Sequence, residues 1–517
     1  MQNSATENNK LIAKNTLFLY FRSILTLVVG LYTSREVLAQ LGVSDFGIYN
    51  VVAGVIVLFS FIQGAMNSAT SRFFTFDLGK GDFEQLKKTF SLSVIIHIFT
   101  TLLIFILGET IGLWFLNTQL LIPEERMEAA NFVYQFTIFT ACVGILQVPY
   151  MVAITAHEMM KIFAYAGIAD TMFKLAIVLS LGFVPFDKLK FYSILLFGVF
   201  VVMNAFYYVY CRKHFNETHF KWFWDKKMFL ERMGFGGFEL LGGISGILAI
   251  QGGVFLLNRF YGVLLNAANG VAQQVISAAN VFTTNFLTAV NPQITKSLAA
   301  GEMDYFYDLI IRSSKYCFLL SFMFMAPLIL QMDFVLKLWL KEVPEYTGIF
   351  CQLSIINVLL CFPFYPIWHG ITSTGKIKKM RTIDGLMVMS IFIFAFLGLH
   401  FSPIGYICSH IFVNIFRVNY ATLHIRNLTG FPIRQLFSRS LVKCFAVGII
   451  SIPLPFYITL NINGWQGFLI CLISFLAMFA LSTLFIGLDG NERKKMTKWI
   501  RDKMKFHSPK SRCNCSY

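Results

Sequence analysis

Acidic side chains are scarce in this chain of 517 residues. Only 27 aspartates and glutamates stand against 43 lysines and arginines, and the four types together make up 14% of the sequence. So thin a charged complement cannot cover the surface of soluble domains totalling this length. Long polar stretches are missing as well. On the side of the chain poorer in lysine and arginine no loop exceeds roughly 20 residues, which leaves no extramembrane domain to hold a catalytic site. Catalytic signatures are also lacking: there is no P-loop GxxxxGK[ST], no HExxH, no paired-CxxC metal site and no nucleophile elbow. An ATPase of its own is excluded, a non-enzyme is expected, and neither a metal nor a cofactor is implied. Cysteine offers no framework. Cys142, Cys317, Cys351, Cys361, Cys408, Cys444 and Cys471 lie inside apolar runs, where cysteine acts as a small hydrophobe. Cys513 and Cys515 form a C-x-C in a polar tail without two further ligands. No cleavable signal is expected, because the first apolar run is of full spanning length and lacks a small-residue cleavage site.

What is abundant is apolar: 56% of residues are hydrophobic and 57 are phenylalanine. This composition predicts an all-α polytopic membrane protein. Runs of spanning length occur at 16–38, 46–70, 90–116, 129–153, 162–183, 191–211, 236–261, 268–291, 314–332, 346–369, 383–400, 403–423, 440–460 and 464–487, about fourteen helices. The runs at 46–70 and 268–291 are the least oily. The net charge of +16 would suggest nucleic acid on a soluble domain, but here it sits in short loops, where it reports topology. With fourteen spans, about 33 basic residues fall on one side and about six (Arg126, Lys188, Lys190, Arg259, Lys337, Lys341) on the other, so both termini are predicted cytoplasmic. The expected organisation is a cytoplasmic N-terminus at 1–15, an N-lobe at 16–211 (helices 1–6), an interlobe linker at 212–235, a C-lobe at 236–423 (helices 7–12), helices 13 and 14 within 424–487, and a basic cytoplasmic tail at 488–517. The linker holds His214, His219, Trp222 and Trp224, an interfacial segment whose Lys221–Lys227 stretch is expected to meet anionic lipid headgroups.

The first apolar run carries two arginines. On a helical wheel Asn15, Arg22, Thr26 and Thr33 fall within about 40° of one another, a wet stripe that predicts one wall of a water-filled cavity. Arg35 lies on another face near the helix end, where its stem can snorkel to the interface. Shifting the chain by 220 residues sets Gly42-Val43 on Gly262-Val263, Val51, Val55 and Ile56 on Val271, Val275 and Ile276, and Ala69, Thr75, Leu78 and Gly81 on Ala289, Thr295, Leu298 and Gly301, without a gap. Helix 2 thus falls on helix 8 with six helices between them, a parallel repeat with its axis along the membrane normal and the substrate site at the lobe interface. Helix 8 is wet in its turn: Gln273, Ser277, Asn280, Thr284, Thr288 and Asn291 project within about 80° of arc. Ser60, Gly64, Asn67 and Ser71 echo this on helix 2, where close helix packing explains them equally well.

Intramembrane charge is lopsided. Asp170 and Lys174 stand one helical turn apart and can neutralise each other. Glu239 is the clearest acid with no neighbour to pair with, so Glu239 and Asp170 are the ion-coupling candidates. His410, Asn414 and Arg417 share one face of helix 12. The cations Arg22 and Arg417, with Arg35 and Arg259 beside them, outnumber unpaired acids, and a cavity lined this way favours an anionic substrate such as a phosphate or pyrophosphate.

The stretch Tyr32 to Val52, YTSREVLAQLGVSDFGIYNVV, resembles the first helix–loop–helix of the Wzx-type O-antigen and capsule flippases, polysaccharide exporters of the multidrug/oligosaccharidyl-lipid/polysaccharide exporter superfamily. An arginine, then Leu-Gly, then a Gly-aromatic pair is met by Arg35, Leu41-Gly42, and Gly47 with Tyr49. The Gly81-Asp82 turn followed by Lys87-Lys88 is similar too. The resemblance implies two six-helix lobes around a cationic cavity plus two C-terminal helices. It also implies alternating-access export of undecaprenyl-pyrophosphate-linked oligosaccharide, without ATP, across the bacterial inner membrane. The resulting product classes are lipopolysaccharide O-antigen, capsule and exopolysaccharide. Of the cavity charges Arg22 and Arg35 carry over. Arg22, Arg35, Arg417 and amides such as Gln273 and Asn280, with Thr26, are the expected substrate contacts. Membrane lipids and the polysaccharide polymerase and ligase machinery are the expected partners, with no nucleic acid. The alternative is a cation-coupled multidrug antiporter of the same superfamily, which needs carboxylates inside a lobe. A membrane polymerase or ligase is a third class, disfavoured by the short outer loops.

Overall fold

The computed structural model describes residues 2–57, 60–118, 122–261, 263–340, 343–462, 464–490 and 492–494. Cys513, Cys515 and the tail beyond residue 494 lie outside the described residues, as do Gly262 and Lys341. Every regular element among the described residues is helical. In lipid the backbone must bond to itself, and a sequence this apolar has no other way to satisfy its amides.

Eleven segments are long and apolar enough to cross a membrane. Three of the fourteen predicted runs fall outside that set, namely 46–70, 268–291 and 403–423, yet all three are almost wholly helical over their described residues. Helix α1 (Gln2–Val57) is broken at Gly42 (φ 77, ψ 168), and its second part leads on to α2 (Ser60–Lys80). The other two are α9 (Val263–Ala299) and α15 (Gly405–Thr429). Their amides, hydroxyls and charges lower the hydropathy without breaking the helix. The chain is therefore a polytopic all-α membrane protein with two lobes.

The repeat is visible in the backbone. Gly81 and Gly301 both adopt left-handed φ, +74° and +76°. Each amide accepts the same role: Gly81 N donates to Leu78 O and Gly301 N to Leu298 O, both at 3.1 Å. The next helix then opens with Leu86 N to Asp82 O in one half and Phe306 N to Glu302 O in the other, both at 2.9 Å. Gly79 lies against the backbone of α9: a Cβ there would come within 2.7 Å of Lys296 Cα and 2.9 Å of the Ala299 methyl. Ala299 is the counterpart of Gly79 in the repeat, and mates that touch lie close to a local two-fold axis.

Contacts divide the chain into two compact units. The first holds 1–252, 284–306 and 368–393, the second 253–283, 307–367 and 394–517. The first has a core that includes Phe74, Phe90, Val152, Met203 and Tyr207, drawn from α2, α3 (Phe83–Leu107), α5 (Glu124–Ala156) and α7 (Lys188–His214). The second is built around Met325, Phe350, Phe362 and Phe475, from α10 (Met303–Leu330), α12 (Thr347–Cys361), the turn after it and α19 (Gly464–Ser482). Within this unit Lys315 is 1% exposed and is neutralised by Glu492 Oε2 at 2.6 Å and Asp489 Oδ2 at 3.4 Å. Sequence reading assigned 488–517 to a tail; its first residues dock onto α10 through these charges.

The linker is shorter than predicted. Helix α7 runs to His214 and α8 (Lys226–Tyr261) begins at Lys226. Between them Glu217 is buried and hydrogen-bonded to His157 Nε2 at 2.6 Å, while Trp222 is 76% exposed.

At the opposite end of the first unit Arg126 bridges two acids. Its Nε donates to Asp45 Oδ1 and its Nη1 to Asp187 Oδ2, each at 2.8 Å. Asp187 also caps α7 by accepting from the amides of Leu189 and Lys190. Burial pushes the Asp187 carboxyl up, but Arg126 and these two amides outweigh it, and it settles below its ordinary value. A depressed carboxyl stabilises the fold fully above its unfolded pKa, about 3.9, and the contribution is lost as pH falls through the folded value. Asp187→Asn should therefore lower the melting temperature at pH 7 and do so progressively less toward pH 3, measured by thermal unfolding in detergent.

Candidate functional site

The predicted site residues divide between the units: Arg22, Thr26, Arg35, Asp170 and Glu239 lie in the first, and Gln273, Asn280 and Arg417 in the second.

The wet stripe of α1 meets α6 (Met160–Ser180) and the turn before it. Asn15 Nδ2 donates to the Glu158 carbonyl at 3.1 Å. The Arg22 guanidinium lies 4.7 Å from the centroid of the Phe163 ring. Its stem passes over Gly167, where a Cβ would come within 2.6 Å of Arg22 Cδ. Thr26 Oγ1 and Thr171 Oγ1 share a hydrogen bond of 3.0 Å, and Thr33 bonds back to the Gly30 carbonyl. Asn15, Arg22 and Thr26 thus each touch α6 or the turn before it, while Thr26 stays exposed and Arg22 half-buried. Arg22 remains half-buried, and among the described residues it has no carboxylate partner. An aromatic face stabilises a desolvated guanidinium by about 1–2 kcal/mol but leaves its charge uncancelled. Arg35 is exposed.

Both candidate coupling acids are committed to cations. Lys174 Nζ reaches Asp170 Oδ2 at 2.8 Å, the one-turn pair that the spacing predicts. Glu239 is corrected: it does have a partner. Arg381, at the start of α14 (Lys378–Leu399), grips it in a fork, Nε to Oε1 at 2.9 Å and Nη2 to Oε2 at 2.8 Å. The pair bridges α8 and α14, and the Glu239 side chain is 9% exposed.

In the second unit Arg417 Nη1 donates to Asn414 Oδ1 at 2.8 Å, and Asn414 Nδ2 to Asn357 Oδ1 at 2.9 Å. A chain of carboxamides thus orients this guanidinium. On α9, Gln273, Ser277 and Thr284 are exposed, whereas Asn280 is half-buried.

Sequence reading missed Glu158. It lies in the turn between α5 and α6, is 6% exposed, and holds φ at 60°. A left-handed backbone costs a side-chain-bearing residue about 1–2 kcal/mol. Its carboxylate accepts from Lys296 Nζ at 2.6 Å and from Gln293 Nε2 at 2.5 Å, both on α9. No feature of the repeat signalled it, because at the 220-residue shift Glu158 falls on Lys378.

With this geometry in view, the fold is that of transporters of the MOP superfamily, in particular of its MATE branch. Neither a family model nor a curated protein matches the sequence. The chain is similar to the outward-facing structure of a multidrug resistance MATE family transporter, with a TM-score of 0.69 at 12% identity over 82% of this chain and 96% of that one. It is similar also to the bent form of the Vibrio cholerae MATE transporter VcmN, at TM-score 0.68, 19% identity, and 82% and 98% coverage. A third is the Pyrococcus furiosus MOP superfamily transporter whose binding pocket of reverse polarity suggests a different function, at TM-score 0.67, 13% identity, and 81% and 96% coverage.

Proposed function

We propose that this chain is a flippase carrying undecaprenyl-pyrophosphate-linked oligosaccharide, an O-antigen, capsule or exopolysaccharide repeat unit, to the outer leaflet of the bacterial cytoplasmic membrane. It works by alternating access, with both termini in the cytoplasm. The observation that carries this reading is how three charges of the first unit are partnered. Asp170 and Glu239 each have a cation of their own, while Arg22 has no carboxylate among the described residues. A cation-coupled antiporter needs an acid free to bind its proton or sodium, whereas these two acids each face a cation of the protein's own. A spare guanidinium instead suits the pyrophosphate, which accepts charge-assisted hydrogen bonds. Arg22 is assigned to the pyrophosphate; Arg417, Gln273, Asn280 and Thr26 are proposed further contacts to the cargo, and Arg35 meets it at the interface. The prenyl tail stays in lipid.

The second reading, a cation-coupled multidrug antiporter, is favoured by the fold shared with a multidrug resistance transporter. The Pyrococcus furiosus protein supports keeping pocket charge as the deciding ground, since its reversed pocket polarity was taken to suggest a different function. Deleting the protein in its native cell separates the two. The flippase reading expects lipid-linked glycan to accumulate on the cytoplasmic leaflet with drug tolerance unchanged. Drug sensitivity without accumulation would support the antiporter.

A further inference from the structure

Two turns of the first unit link the sequence halves in the same way. In one, the turn of the first half reaches α9 of the second: Glu158 takes Lys296 and Gln293. In the other, α13 (Tyr365–Thr374) and the turn ending it, in the second half, reach α2 of the first: Arg72 Nε donates to the Ser373 carbonyl at 3.3 Å, and the guanidinium fills the space beside Gly375. The helices α2 and α9 are themselves repeat mates. The turns match in conformation and lie within three residues of the 220-residue register: Glu158 N donates to Thr155 O at 2.9 Å and Gly375 N to Thr372 O at 3.1 Å, with left-handed φ of 60° and 77°. Between the two clamps, Gly79 lies against Lys296 and Ala299.

The symmetry isolates what is unusual. Glycine adopts this backbone without strain and does so at Gly375. At the equivalent place the first half carries a glutamate, in a conformation its Cβ disfavours and in a site that strips water from a charge. Neither feature helps the turn. Both are accounted for by the carboxylate, which meets an ammonium and a carboxamide from the other half and fixes Asn15 of α1 through its carbonyl. Strain of this kind persists where surrounding contacts over-determine it.

We infer that Glu158, through Lys296 and Gln293, is the positioning residue of a latch that holds the two sequence halves together on the face assigned to the cytoplasm, and that this latch must part for cargo to enter from that side. The Arg72–Ser373 contact, a guanidinium on a backbone carbonyl with no acid, is its weaker counterpart. This rests on the alternating-access reading above. It adds that closure on this face depends on one ion pair, which single substitutions can bias without touching the cargo contacts.

The test uses full-length protein in lipid nanodiscs, with spin labels at Lys161 and Ala300, both exposed and on opposite sides of the latch. Cys408, Cys513 and Cys515 are replaced by serine. Pulsed electron resonance reads the distance between the labels. Glu158→Gly removes the carboxylate while relieving the backbone, so misfolding is not the expected outcome. The ratio of long to short distances should rise on the order of tenfold, the equivalent of one buried charge-assisted contact. Lys296→Gln should do the same, and the exchange E158K with K296E should restore most of the short population. Distributions for Glu158→Gly and Lys296→Gln that superimpose on wild type would overturn the latch. The distance readout needs no cargo. Separation of the labels in a protein that flips no lipid-linked oligosaccharide would leave the latch standing and remove the flippase reading alone.

Discussion

Replacing Arg22 with alanine should reduce export of lipid-linked oligosaccharide at least a hundredfold while leaving the protein in the membrane at wild-type amount. The expectation follows from where the guanidinium sits. It is half-buried against Phe163, its stem threads past Gly167, and among the described residues no acid cancels it. Losing a charge-assisted contact to a pyrophosphate costs about 1.5–3 kcal/mol for each hydrogen bond, and a guanidinium makes two at once. The fold loses only the contact with Phe163, about 1–2 kcal/mol, since Thr26 still bonds Thr171 and Asn15 still bonds the Glu158 carbonyl. Arg22→Lys should recover part of the activity, because a point charge replaces the fork only in part. The check is surface polysaccharide measured against membrane protein level in a complemented deletion strain. Full export by Arg22→Ala would remove the role assigned to this residue.

The second large effect concerns the pair of Glu239 and Arg381. Arg381→Ala strands a carboxylate that is 9% exposed, and breaking a buried pair from one side costs about 3–5 kcal/mol. The variant should therefore be recovered at a small fraction of wild-type yield. The double variant Glu239→Gln with Arg381→Gln leaves no unpaired charge, and it should regain both yield and export. An ion-coupling acid behaves differently: there the double variant would fold and fail to transport. Yield by size-exclusion chromatography and export by glycan staining together distinguish a structural pair from a coupling site.

Much of the fold could be read from sequence because hydropathy and loop charge are properties of single segments. Even the runs at 46–70, 268–291 and 403–423, too polar for the eleven that stand out by hydropathy, are almost wholly helical over their described residues. The turn at Gly81 and its mate at Gly301 was implied by the repeat. What could not be read was which residues meet. Glu239 looked solitary because Arg381 is 142 positions away, beyond any local window. The wheel showed that Asn15, Arg22, Thr26 and Thr33 share a face, yet a wheel does not say what that face meets, and here it meets α6. Glu158 was hidden for the opposite reason, because a glutamate in a short loop between two apolar runs reads as solvated. Its burial is set by α9, which comes more than a hundred residues later. The docked start of the tail, where Glu492 neutralises Lys315, was concealed in the same way.

The central claim is that the interior of this protein presents positive charge to an anionic cargo. Thermal stabilisation of the purified protein by ligands tests it most directly. Undecaprenyl pyrophosphate should raise the melting temperature of the wild type but not of Arg22→Ala, and lipophilic cations should shift neither. A protein stabilised by lipophilic cations and indifferent to the pyrophosphate would contradict the account.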